Sequence, residues 1–210
     1  VAGTLINLFV TLTCAYPLSR KDFPMQKFFM GLFLFTMFFS GGLIPTYMLV
    51  SRLKMTNTIW AMLLPAALSV YNMILVRTFL TGSIPHELLE ASQIDGCSDA
   101  HYFTAVLLPL SKPVIAVITL YYAVGHWNSY FNALLYLRDR TRYPLQLVLR
   151  IFFSANDYSE QGGDSGMTAL LVSETMKYAL IVIASGPILC LYPLLQRFFV
   201  KGVMLGAIKG

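Results

Sequence analysis

Glu90-Ala91-Ser92-Gln93-Ile94-Asp95-Gly96-Cys97-Ser98-Asp99-Ala100-His101 opens a polar island that runs on to Leu108-Pro109-Leu110-Ser111-Lys112-Pro113 and lies between two long apolar runs. So much helix-capping chemistry between apolar stretches reads as a place of contact outside lipid. The pattern predicts two short helices with a sharp bend. Ser83 or Ile84 precedes the first, with Pro85 in its first turn, where a missing N–H costs nothing. Glu87 and Glu90 sit toward its positive end. Asp95-Gly96 stops it, Gly96 supplying the positive φ that a helix C′ position often takes. Cys97 follows, and Ser98-Asp99 restarts a helix with an N-cap hydroxyl and an acid in the first turn. Leu88, Ala91, Ser92 and Asp95 recur at three- and four-residue spacing, a narrow stripe that another backbone can approach closely. Glu90 lies to one side, free to meet an Arg or Lys. The contact set is therefore Glu87, Glu90, Ala91, Ser92, Asp95, Gly96, Cys97 and Ser98.

Outward from the island the chain is a membrane protein. Of its 210 residues 57% are hydrophobic and 12% charged, against roughly 25% charged in a soluble domain. Residues 28–50, 58–80, 114–134 and 175–195 are each apolar for about the 20 residues that cross a bilayer as a helix, and 1–18 makes a slightly short fifth span. Strands of a membrane barrel would alternate apolar and polar residues, which these runs do not. The expected fold is all-α, a polytopic membrane helix bundle forming one domain over 1–210. The first run lacks a basic leader and a small-residue cleavage site, so it reads as a span. Because the chain begins with Val, a further segment is expected before it.

Lysines and arginines are denser on the island's side once the long 138–174 loop, which largely escapes the rule, is set aside. The island, taken as 82–112, and the tail, 196–210, are therefore placed in the cytoplasm, and the 138–174 loop outside. A net charge of +5 spread over both faces lacks the basic stripe of a nucleic-acid binder. Cys14, Cys97 and Cys190 and the histidines His86, His101 and His126 show no metal-ligand spacing. Gly41-Gly42, Pro45, Pro65 and Gly186-Pro187 fall inside spans, where they read either as hinges or as the ordinary Gly and Pro of membrane helices.

Tyr71 and Asn72 in mid-span, and Tyr122, Trp127 and Asn128 further on, combine aromatic faces with amides. That mix suits the C–H faces and hydroxyls of a sugar. Interfacial anchoring is the competing account of Trp127 and Asn128, and interhelical hydrogen bonding that of Tyr71 and Asn72. Glu174 and Lys177 read as an interfacial i, i+3 pair. Arg138, Arg140, Arg142 and Arg150 outside leave an acidic oligosaccharide open.

Glu90-Ala91-Ser92, three residues, then Gly96, with Pro109 and Pro113 downstream, resembles the EAA loop of binding-protein-dependent ABC importer permeases. Ser92 stands where a second Ala is usual, and is small enough to keep the geometry. Ile84-Pro85-His86-Glu87-Leu88, Leu108-Pro109-Leu110-Ser111-Lys112-Pro113 and the ending Gln196-Arg197-Phe198-Phe199-Val200-Lys201-Gly202 to Gly206-Ala207-Ile208-Lys209-Gly210 are similar to the maltose-type, MalG-like carbohydrate permeases, and most of all to their LplC-like oligosaccharide branch. The resemblance implies a six-span permease, five spans being present here, in a bacterial cytoplasmic (inner) membrane with its C-terminus cytoplasmic. It also implies a heterotetramer with a second homologous permease and two ATPase subunits, supplied with oligosaccharide by an extracytoplasmic solute-binding protein and working by alternating access. The island would be the coupling helix. The chain has no Gly-x-x-x-x-Gly-Lys-Ser/Thr loop, so no cofactor is expected on it; ATP and Mg²⁺ belong to the partner ATPases. Rival readings are a gradient-driven secondary transporter, which needs ionisable groups at mid-membrane, and an integral membrane enzyme, which needs acids converging at one face.

Overall fold

A computed structural model describes residues 1–161, 175, 176, 178–190 and 193. Every regular element among them is helical: α1 Ala2–Ser19, α2 Gln26–Phe38, α3 Leu43–Arg52, α4 Trp60–Leu63, α5 Val70–Ser83, α6 Glu87–Ile94, and α7 Asp99–His101, which passes through a π-helical segment Tyr102–Leu107 into α8 Leu108–Leu110. Then come α9 Lys112–Trp127, α10 Phe131–Tyr136, a 3-10 turn Arg140–Arg142, α11 Leu145–Gln161 and an apolar helix α12 Tyr178–Cys190.

The centre is α1 packed against α5 and α9. Leu12, Ala15 and Leu18 of α1, Met73, Val76 and Leu80 of α5, and Val114, Ile118 and Tyr122 of α9 form one buried cluster. Close approach at the far end depends on Gly3, where a Cβ would come within 2.6 Å of His126 Nε2 and 2.7 Å of Leu63 Cδ2. By contrast α2 buries none of its residues, and Phe28, Leu32, Phe35 and Phe38 stay exposed. A helix that is apolar all round belongs against lipid or another chain.

Five uninterrupted crossings are not what the sequence builds. By length and composition α1 alone among the described helices crosses unaided. The 28–50 run is divided: α2 and α3 meet at 108°, with Phe39 extended and Gly42 at φ +85° between them. The 58–80 run leaves its helix after one turn and resumes at α5, because Pro65 has no N–H to continue the ladder. Ser69 restarts it as an N-cap, its Oγ accepting from Asn72 N at 3.4 Å. The 114–134 run breaks between Trp127 and Phe131, and the Asp99–Leu110 segment meets α9 at 81°. The helices thus break at Gly41-Gly42 and near Pro65, whereas Pro45 sits in the first turn of α3 and Gly186-Pro187 lies within α12.

The described part of the 138–174 segment, 138–161, is largely helical. In it α11 places Leu147, fully buried, against Ala133 and Leu137. Glu174, Lys177 and the 196–210 tail lie outside the described residues.

Candidate functional site

The island folds as two helices around a bend. Leu89 turns α6 toward the bundle, buried beside Tyr102 and Leu107. The opposite side, Leu88, Ala91 and Ile94, is open, and Ile94 is 87% exposed. Gly96 has φ +73°, and Cys97 N donates to Ser92 O at 2.9 Å across the turn. Ser98 Oγ then accepts from His101 N at 3.3 Å as the N-cap of α7. Ser92 folds its hydroxyl back onto Leu89 O at 2.7 Å, so it occupies little more space than an alanine. Cys97 is half-buried and packs on the central cluster.

Two expectations change. Pro85 lies just outside α6, whose N-cap is His86, because the chain leaving α5 passes through extended Ile84 before turning. Glu90 is within ion-pair distance of His86 Nδ1, at 3.2 Å, an i, i+4 neighbour on its own helix.

A clamp that the sequence did not advertise fastens the island to α1. Arg20, at the end of α1, forks onto Asp22 with Nε–Oδ1 2.9 Å and NH2–Oδ2 2.5 Å, donates to Tyr16 OH at 3.0 Å and reaches Asp99 at the start of α7. Its side chain is only 13% exposed. The Arg20 hydrogen bond holds the Asp22 carboxyl below its ordinary pKa, and Asp22 in turn raises that of the guanidinium. Nearby, Arg77 Nε and Gln26 Nε2 both donate to Leu18 O, at 2.8 and 2.7 Å, closing the exposed end of α1.

At the other end of the bundle a polar seam mends the break before α5. Asn7 Nδ2 donates to Ala66 O and Ala67 O at 2.6 and 2.9 Å, while His126 Nε2 donates to Asn7 Oδ1 at 2.6 Å. One turn along, Thr11 Oγ1 and Tyr122 OH share a hydrogen at 2.6 Å, and that phenol accepts from Ser69 N at 3.2 Å. Irregular backbone at membrane depth is tolerated where protein groups satisfy it; here α1 and α9 do so.

Beside the seam is a cavity of about 310 Å³, among whose walls are Asn7, Ser69, Asn72, Tyr122, His126 and Asn132. Of the five residues expected on a sugar path, Asn72 and Tyr122 reach it. Tyr71 is exposed and borders an adjoining apolar cleft with Asn72. Trp127 spends its indole N–H on Ala184 O at 2.9 Å, and Asn128 is the C-cap of α9, so neither joins this cavity. Asn7, Ser69, His126 and Asn132 were missed. Their only sequence signal was polarity within apolar runs.

Residues 6–205 match the family described as binding-protein-dependent transport system inner membrane component. The chain belongs to this family. It is 45% identical over 210 residues to the protein LplC of Bacillus subtilis, covering all of this chain and 71% of that one. It is 42% identical over 215 residues to the polygalacturonan/rhamnogalacturonan transport system permease protein YtcP of the same organism, covering all of this chain and 73% of the relative. In structure it is similar to a chain from a bacterial ABC transporter involved in the import of the acidic polysaccharide alginate, with a TM-score of 0.82, 30% identity, and coverage of 94% of this chain and 70% of the other. The polytopic helix bundle is thus that of an ABC importer permease, a transport component of the membrane.

Proposed function

We propose that this chain is one permease half of an ATP-driven oligosaccharide importer in a bacterial inner membrane. A second homologous permease completes the path, two ATPase subunits carry ATP and Mg²⁺, and a solute-binding protein delivers the sugar from outside. The island and the C-terminus face the cytoplasm. Closure of the ATPases presses on α6 and rocks the bundle between its two access states.

The observation that carries this reading is the island itself. It presents an unpartnered apolar face, Leu88, Ala91 and Ile94, on a helix pair tied to α1 through Arg20 and Asp99, so force applied at that face reaches a core helix. The cavity beside the seam, reached by Asn72 and Tyr122, serves as the polar stretch of the sugar path. The seam's groups are hydrogen-bonded, and among the described residues the cavity beside it is lined by no carboxylate, lysine or arginine, which are the groups a gradient-driven carrier would place at mid-membrane.

Gly96→Pro tests the coupling. Proline fixes φ near −65°, while Gly96 needs +73°, so the bend between α6 and α7 is lost. The expected outcome in proteoliposomes is ATP hydrolysis that continues while sugar uptake falls to background. Normal uptake by this variant removes the coupling role from the island.

A further inference from the structure

At the end of the bundle opposite the island, α11 and α12 enclose a pocket of about 460 Å³ with Tyr130 at its side. The Arg150 guanidinium carbon lies 4.7 Å from the centroid of the Tyr130 ring. Gln146 and Ser154 flank Arg150 one turn before and one turn after on α11, and Ser185 faces them from α12. Ser185 Oγ donates to Ile181 O at 2.8 Å, so its oxygen is left to act as an acceptor. Leu149 and Phe153 supply an apolar wall.

Of the outer arginines, Arg150 is the one held over an aromatic ring. Arg142 donates to Asn57 O and sits 3.7 Å from Asp139, so it is engaged in the turn before α11. Arg150 has no ion-pair partner among the described residues. A ring face steadies a guanidinium without neutralising it, and the planar fork then presents paired N–H groups that match a carboxylate in a bidentate fashion. The amide of Gln146 and the hydroxyls of Ser154 and Ser185 match the hydroxyls that surround such a carboxylate on a sugar ring.

We infer that the Arg150–Tyr130 pocket is a subsite for the carboxylate of a uronic acid unit in the transported oligosaccharide. The inference rests on the importer reading above and names the substrate class for it. Two similar chains are described by polyuronide cargo, polygalacturonan for one and alginate for the other.

The test uses the assembled permease and ATPase complex without its solute-binding protein, titrated with trigalacturonate, with its neutral trimethyl ester, and with inorganic phosphate. Tryptophan emission follows occupancy, because Trp127 is hydrogen-bonded to Ala184 and Ala184 lines the pocket. Trigalacturonate is expected to bind saturably and at least about tenfold tighter than the ester. Arg150→Gln should weaken trigalacturonate by about tenfold or more, the scale of a lost charge-assisted bidentate contact, and leave the ester's weaker binding unchanged. Gln146→Ala should weaken acid and ester alike, by a smaller factor. Equal binding of acid and ester, an Arg150→Gln variant that binds the acid as the parent does, or equal loss of both ligands in that variant overturns the subsite. Tighter binding of phosphate than of trigalacturonate overturns the uronate assignment. These failures are distinct from failure of the importer reading, which is judged separately by ATP-driven uptake of delivered oligosaccharide by the same complex in proteoliposomes.

Discussion

At the scale of single residues, Gly96 on the island and Asp22 in the clamp beside α1 carry separable consequences. A Cβ on Gly96 would meet open space, so only backbone strain opposes its replacement. Gly96→Ala should therefore cost about 1–2 kcal/mol, the penalty of the left-handed region for an L-residue, visible as a lower thermal midpoint of the purified complex with the bend retained. Asp22 acts through charge. Arg20 lowers its folded-state pKa, so its contribution to stability is fully present above the ordinary aspartate value of about 3.9 and is lost as pH falls through the lowered one. The carboxylate is more than half exposed, so the contribution is small and screened. Comparing thermal midpoints of parent and Asp22→Asn from pH 5 downward should show the parent falling more steeply below about pH 4. Parallel curves would mean that the clamp draws its strength from Asp99 instead.

At the scale of elements, the seam decides whether the broken helices hold. Asn7 satisfies two carbonyls and an imidazole N–H at once, so Asn7→Leu, which keeps the branching at Cγ but replaces both polar atoms with larger methyls, should cost about 1–3 kcal/mol for each group left unsatisfied. Thr11→Val and Tyr122→Phe remove the same hydrogen bond from opposite ends. Thr11→Val should cost about 0.6 kcal/mol, as interhelical hydrogen bonds in membranes do on average; Tyr122→Phe should cost more, because it also takes the acceptor from Ser69 N, and the double variant should cost less than the sum. Thermal midpoints in one detergent measure all four. These elements also mark what the sequence could reveal. The bend at Gly96 and the cap at Ser98 were legible because both are local, settled by the conformational preferences of neighbouring residues. The first span was legible as a helix, whereas the 28–50, 58–80 and 114–134 runs were legible only as apolar runs, since hydropathy does not register where a ladder stops at Gly42 or Pro65. The seam and the clamp were hidden for a different reason: Asn7 meets His126 across 119 residues and Arg20 meets Asp99 across 79. No spacing rule brings such partners together, and each side chain alone looked like an isolated polar residue in or beside a span.

At the scale of the whole molecule, the coupling proposed above requires that force applied at the island reach the bundle. Its central helices α1, α5 and α9 share one buried cluster that extends to Leu89 of α6 and to Tyr102 and Leu107 beyond the bend. The island is thus continuous with the core on one side and bare on the other. A partner that grips the bare side moves the core, provided that its grip is apolar, because Leu88, Ala91 and Ile94 offer no charge. Fully burying a side chain the size of Ile contributes about 1.5–3 kcal/mol, which is roughly a tenfold to hundredfold change in affinity. Ile94 is almost wholly exposed in this chain, so Ile94→Asp should leave the permease folded while weakening its association with the ATPase subunits by at least about tenfold. Leu89→Asp, which buries a charge in the cluster, should instead destabilise the permease itself. The discriminating measurement is the affinity of purified ATPase for permease in nanodiscs, read beside the thermal midpoint of the permease alone. Ile94→Asp must lower the first and spare the second; if it spares both, the bare side of α6 is not where the ATPase docks.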